Sequence, residues 1–166
     1  MPPLVSILIP VYNCRPWVAR AVESALEQTW PNVEVIALDD ASTDGSWEVL
    51  QEWRSKIRVE RSPRNGGQNV SRNLLTTLSR GEWLVFLDAD DELAPDSVEQ
   101  KMMLAAAAEA VYGSTDCSTF EEQKLLSSVK TVAVDYEDML AALFSWKLPN
   151  TSAYAFQKKA LLDAGG

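Results

Sequence analysis

Histidine is absent from this 166-residue sequence, which excludes Ser-His-Asp and Cys-His catalysis and any histidine-ligated zinc. Cysteine occurs only as Cys14 and Cys117, too few and too far apart for a disulfide framework or a thiolate metal site. Basic side chains are in the minority, 15 against 24 acidic, and the formal charge of −9 argues against nucleic acid or an anionic membrane as a partner. No apolar run approaches the roughly 20 residues of a membrane span. Met1-Pro2-Pro3 leads straight into a strand-like run with no basic leader, so a secretory signal is not expected and the expected location is the cytoplasm. Asn69-Val70-Ser71 and Asn150-Thr151-Ser152 match the glycosylation pattern and are read as chance in such a chain. The loop after the first apolar run has neither G-x-G-x-x-G nor G-x-x-x-x-G-K-[ST], so neither a dinucleotide fingerprint nor a phosphate-cradling loop is present.

What is present describes an ordinary globular domain. The hydrophobic share is 46% and the charged share 23%, and a chain of this mass can bury about 69% of its unfolded surface. Val5–Val11 is a nearly continuous apolar run, as expected of a strand covered on both faces. Val18, Ala21, Val22, Ala25 and Leu26 recur at helical spacing, ended by Trp30-Pro31-Asn32. The alternation continues with a strand over Val33–Leu38, a helix marked by Val49, Leu50 and Trp53, and a short strand over Ile57–Val59. A helix marked by Val70, Leu74, Leu75 and Leu78 follows, then a strand over Trp83–Leu87, and Pro95 opens a helix running through Ala105–Ala108. Beyond it, Ala110–Tyr112 and Val129–Val134 read as strands, Glu137–Trp146 as a helix and Thr151–Phe156 as a strand. Strands alternating with helices of this length predict a single α/β domain with a largely parallel sheet.

The carboxyl ends of these strands carry the chemistry. Pro10-Val11-Tyr12-Asn13 follows the first strand, Asp39-Asp40 the second and Asp88-Ala89-Asp90-Asp91 the fourth. In the order 3-2-1-4 all three border one crevice, the usual ligand position in an open parallel sheet. Five carboxylates are then expected in one small volume, where they repel unless a cation neutralises them. Oxygen ligands without His or Cys suit Mg²⁺ or Mn²⁺. An aromatic, Tyr12, beside a carboxylate pair suits a nucleobase, with the ion left for phosphates. Asn65-Gly66-Gly67 reads as turn chemistry, and Cys14 as an inert thiol.

Four blocks carry a resemblance. They are VSILIPVYN (5–13), QTWPNVEVIALDDASTDGS (28–46), RNGGQNVSRN (64–73) and GEWLVFLDADDELAPD (81–96), which in this order and spacing resemble family 2 glycosyltransferases of the GT-A fold over roughly the first 100 residues. The resemblance implies a Rossmann-like three-layer αβα sandwich over 1–166 with residues 1–95 as the nucleotide-binding half. It implies a nucleotide-sugar donor, most often a UDP-sugar, and an inverting transfer to a carbohydrate or lipid-linked hydroxyl, as in bacterial cell-surface polysaccharide synthesis at the inner face of the membrane. By position, Pro10, Val11, Tyr12 and Asn13 would form the base pocket, and Asp40, with Asp39 beside it, would accept from the base. Asp88, Ala89 and Asp90 would be the D-x-D motif, touching ribose and the divalent ion, with Asp88 and Asp90 as metal ligands. Arg72 matches the arginine of the family's Ala-Arg-Asn segment, with Ser71 in place of the alanine. The family's catalytic base lies past a Gly-Gly-Phe-Asp-Glu turn. This sequence ends at Gly166 within the matching stretch, so donor binding with little transfer is expected of this chain alone. Membrane contact would be peripheral or through other segments, and a homodimer is left open. The competing readings are a non-catalytic nucleotide-binding module and a receiver-like Mg²⁺-binding signalling domain. The latter needs a phosphate-contacting lysine that Tyr112–Cys117 does not supply.

Overall fold

The computed structural model describes residues 1–105 and 154–163 in full, and between them the backbone of four strands within 110–134. In chain order the elements are β1 (Val5–Val11), α1 (Val18–Leu26), β2 (Val33–Asp39), α2 (Ser46–Glu52), β3 (Arg58–Arg61), α3 (Gln68–Leu78), β4 (Trp83–Phe86) and α4 (Ser97–Leu104). Then come β5 (Ala110–Tyr112), β6 (Thr115–Ser118), β7 (Leu125–Val129), β8 (Val132–Val134), β9 (Tyr154–Gln157) and α5 (Lys158–Asp163).

Seven strands form one sheet in the order β3-β2-β1-β4-β9-β5-β8. The first four are mutually parallel, as the alternating pattern predicts, and β9, β5 and β8 are added by antiparallel pairing. β1 lies between two parallel neighbours, pairing Val5 with both Val33 and Trp83, and all seven of its residues are buried. That is why its sequence is apolar throughout instead of alternating. Its two faces serve two cores. Val5, Ile7, Ile9 and Val11 join Val18, Ala21, Val22 and Ala25 of α1, Leu50 of α2 and Val98 and Met102 of α4. Leu8 joins Ile36, Leu38, Leu84 and Phe86 against Leu75 of α3, with Leu161 of α5 packed alongside. Helices therefore cover both faces, giving the expected three-layer sandwich. The strand order reverses between β1 and β4: α1, which follows β1, covers one face, and α3, which leads into β4, covers the other. A crevice opens there at the carboxyl ends.

Several boundaries differ from the sequence reading. α2 and α3 begin at Ser46 and Gln68, before their first apolar markers: Ser46 is polar yet buried, its Oγ accepting the Cys14 N–H, and Gln68 and Asn69 are polar and exposed. β3 is shifted to Arg58–Arg61, where the backbone continues to pair with Ile36–Asp39 beyond the apolar residues. α4 starts at Ser97 with Asp96 as its cap, and the alanine run beyond Ala105 lies outside the described residues, as do Glu137–Trp146 and residues 151–153. The single strand expected over Val129–Val134 is two: β7 pairs with β6 in a separate two-stranded sheet, whereas β8 joins the main one. Neither β6 nor α5 was expected.

Candidate functional site

The loops after β1 and β2 are tied together by short polar side chains. Asn13 donates its N–H to Ser42 Oγ (3.0 Å) and accepts from the Thr43 N–H at Oδ1 (2.9 Å). The Cys14 N–H reaches Ser46 Oγ (2.9 Å) and the Arg15 N–H reaches Asp44 Oδ2 (2.9 Å). Asn13 takes a left-handed φ of 53°, which asparagine tolerates through its own local hydrogen bonds. Ala41, next to Asp40, does the same at 59°, and an L-residue with a Cβ is strained there. Ala41→Gly is therefore expected to raise stability by about 0.5–1 kcal/mol, the strain relieved less the added chain entropy of glycine. An unchanged urea midpoint would show that the loop carries no such strain.

The paired aspartates do different work. Asp39 is wholly buried and faces away from the crevice. Its Oδ2 lies 3.0 Å from Arg61 Nε and it accepts from the Ser42 N–H, while the Arg61 guanidinium stacks on Trp47 at 4.9 Å. Asp40, 3% exposed, accepts the N–H groups of Gly66 (3.0 Å) and Gly67 (2.8 Å). Gly67 sits at φ 85° and ψ 163°, a region open almost only to glycine. The Asn65-Gly66-Gly67 turn thus shapes the backbone around one carboxylate.

After β4, Asp88 is half-buried and its Oδ1 lies 2.7 Å from Arg72 Nη2 and 3.3 Å from Gln68 Nε2. Ala89 is buried and Asp90 exposed. The Arg72 guanidinium also lies over the Phe86 ring at 5.9 Å, which fixes it from behind. Burial pushes the Cys14 thiol pKa up, and the nearby carboxylates of Asp90, Asp44 and Asp88 push it further, which keeps it protonated and unreactive.

A cavity of about 340 Å³ opens among these loops. Of the residues singled out from the sequence, Pro10, Val11, Tyr12, Asp40, Asp88, Ala89 and Asp90 line it; Asn13, Asp39 and Arg72 support it from outside. The expectation of five carboxylates in one volume is corrected. Three line the cavity, Asp39 is turned to Arg61, and Asp91 is not in the wall. Adjacent residues at a strand end project in opposite directions, so a pair of aspartates cannot both enter one crevice. Cys14, Asn65, Gly67, Gln68 and Ser71 also line it; the polar start of α3 offers no sign in sequence that it packs against this wall. Tyr12, 48% exposed, stands at the wall as an open aromatic face.

Could the site hold a divalent ion? Among the described residues no three His, Cys, Asp or Glu side chains form a metal cage. Asp88 and Asp90 supply oxygen ligands only, which fits an ion held by one or two carboxylates with phosphate oxygens completing its shell.

The family model for glycosyl transferase family 2 matches residues 6–162. The chain belongs to this family. Among curated family relatives, a chondroitin synthase of Escherichia coli is 46% identical over 99 residues, covering 58% of this chain and 14% of that protein. An E. coli UDP-Glc:alpha-D-GlcNAc-diphosphoundecaprenol beta-1,3-glucosyltransferase, WfaP, is 39% identical over 53% of this chain and 36% of its own length. The chain thus matches well under two thirds of the length of these relatives. Two solved structures share the fold. The mannosyltransferase PcManGT from Pyrobaculum calidifontis, in complex with GDP-Man and Mn²⁺, has a TM-score of 0.72 at 22% identity, covering 100% of this chain and 48% of that one. Staphylococcus aureus TarS 1-349, in complex with UDP-GlcNAc, has a TM-score of 0.70 at 20% identity, covering 97% and 47%. The GT-A architecture expected from the four sequence blocks is therefore present, and no helix among the described residues is long and apolar enough to cross a membrane.

Proposed function

We propose that this chain binds the donor of a metal-dependent, inverting glycosyltransferase, and that the donor is a UDP-sugar. The observation that carries the reading is the convergence of Tyr12, Asp40 and the Asp88–Asp90 pair, from three separate strand ends, on one cavity. Tyr12 offers a face for base stacking. Asp40 uses part of its acceptor capacity on Gly66 and Gly67, and an ionised carboxylate keeps lone pairs for a base N–H. Asp88 and Asp90 would hold Mn²⁺ or Mg²⁺ against the diphosphate. When bound, such an ion offsets the charge that develops on the departing diphosphate. Arg72 orients Asp88 through their ion pair.

The transfer step also needs a base to deprotonate the acceptor hydroxyl, a role we assign to no residue here. Donor binding with little transfer is thus the proposed behaviour of this chain alone. The named substrates of WfaP and the UDP-GlcNAc complex of TarS support a uridine donor and a carbohydrate or lipid-linked acceptor. The GDP-Man complex of PcManGT makes guanosine the alternative to test.

Calorimetric titration with UDP and with GDP, each with and without Mn²⁺, tests this on the parent chain and on Asp90→Ala. The expected result is a preference for UDP that Mn²⁺ strengthens about tenfold, with the metal increment lost in the variant. Equal binding in every condition rejects the metal-bridged site, and tighter GDP binding reassigns the donor.

A further inference from the structure

We propose that the Ser71 hydroxyl hydrogen-bonds a carbonyl of the nucleobase and so helps to set base specificity. Ser71 lies in the first turns of α3, 2% exposed, and lines the cavity with Pro10, Asp40 and Gly67. Its Oγ is buried without a hydrogen-bond partner. Helical hydroxyls ordinarily return to the carbonyl one turn back, and two others in α3 do so: Thr76 Oγ1 donates to the Arg72 carbonyl (2.9 Å) and Thr77 Oγ1 to that of Asn73 (3.0 Å). For Ser71 the equivalent carbonyl, that of Gly67, receives only the Ser71 N–H, at 3.1 Å. A buried hydroxyl left unsatisfied calls for a ligand or an ordered water.

Position decides which part of a ligand is in reach. Ser71 is one helical turn from Gly67, whose N–H holds Asp40, so a donor hydroxyl and an acceptor carboxylate belong to the same end of the cavity. An acceptor beside a donor complements a ring N–H flanked by a carbonyl. Uracil and guanine present that edge. Cytosine and adenine present a ring-nitrogen acceptor where the Asp40 carboxylate needs a donor, and the Ser71 hydroxyl could meet the amino group beside it only by acting as an acceptor. Alanine at this position, as in the family's Ala-Arg-Asn segment, offers no such donor.

The inference rests on the reading of the cavity as a nucleoside diphosphate site, and the test separates the two. UDP, 2-thio-UDP, 4-thio-UDP and GDP are titrated into the parent chain and into Ser71→Ala. Sulfur is the weaker acceptor, so the parent should prefer oxygen at the carbonyl that Ser71 touches. Ser71→Ala should bind UDP about 3–10-fold more weakly and lose that preference, while its melting midpoint holds or rises because an unsatisfied hydroxyl is gone. Unchanged UDP affinity, or an undiminished preference for oxygen in the variant, overturns the proposal and leaves Ser71 bonded to water alone. Failure of the parent to bind UDP or GDP overturns the cavity reading, and this inference with it.

Discussion

Replacing Asp40 by asparagine is expected to weaken UDP binding by about 100-fold, the scale of a hydrogen bond to a charged acceptor lost from a buried site. The carboxylate is 3% exposed and takes N–H groups on both oxygens: Gly66 N lies 3.0 Å from Oδ1 and 3.1 Å from Oδ2, and Gly67 N lies 2.8 Å from Oδ2. An asparagine must turn its NH₂ toward one of these donors whichever way it is flipped. Its oxygen then serves the glycine turn and the charge that favours a base N–H is gone. The turn should loosen as well, since these bonds are what hold Asn65–Gly67 against the end of β2. Two measurements check this: calorimetric titration of UDP, and amide exchange at Gly66 and Gly67, which should quicken. UDP affinity equal to the parent's would show that the base does not sit at Asp40.

At the opposite end of the sheet, Gly81→Ala is expected to cost about 3 kcal/mol, the upper part of the usual range for overpacking a close contact. A Cβ on Gly81 would stand 2.5 Å from Ser6 Oγ, 2.7 Å from Ser6 N and 2.9 Å from the Leu4 carbonyl oxygen. Two of these three atoms are backbone, at the start of the central strand, and cannot step aside. The same contact closes a polar knot. Ser6 Oγ accepts the Gly81 N–H (2.9 Å) and donates to Glu34 Oε1 (2.6 Å), which also accepts the Arg80 N–H (2.6 Å). Burial alone would raise the Glu34 pKa, but the bonds from Ser6 and Arg80 outweigh it and hold the carboxyl below its ordinary value. The urea midpoint measures the loss. Nucleotide affinity of the folded fraction should be unchanged, because the strand ends that build the cavity lie at the other pole. A midpoint within experimental error of the parent's would mean that the β1–β4 start is not close-packed.

The two positions show how differently one sequence speaks of its two poles. Strand β1 was legible because burial on both faces leaves a continuous apolar run, and β2 and β4 because each repeats that pattern before acidic residues. Their parallel order and the three-layer sandwich follow from the alternation with helices whose apolar stripes recur at helical spacing. The added strands were less legible. β6 and β7 have no continuous apolar run, and nothing in their composition shows that they pair with each other in a separate sheet and not with the main one.

Within the candidate site, residue types and spacing determined which loops carry carboxylates and an aromatic, because a loop's composition needs no partner to be read. Side-chain direction was not available from composition. Asp39 and Asp40 are alike as letters, yet one is turned to Arg61 and Trp47 and the other to the Gly66–Gly67 turn. The closing of α3 onto the cavity wall, which gives Asn65-Gly66-Gly67 a positioning role and leaves the Ser71 hydroxyl buried, was decided by tertiary structure alone. Local sequence specifies propensity and pattern over a few residues, whereas the bond from Gly66 to Asp40 joins residues 26 apart, and α3 is held over the cavity by packing against Leu8, Leu38 and Leu84.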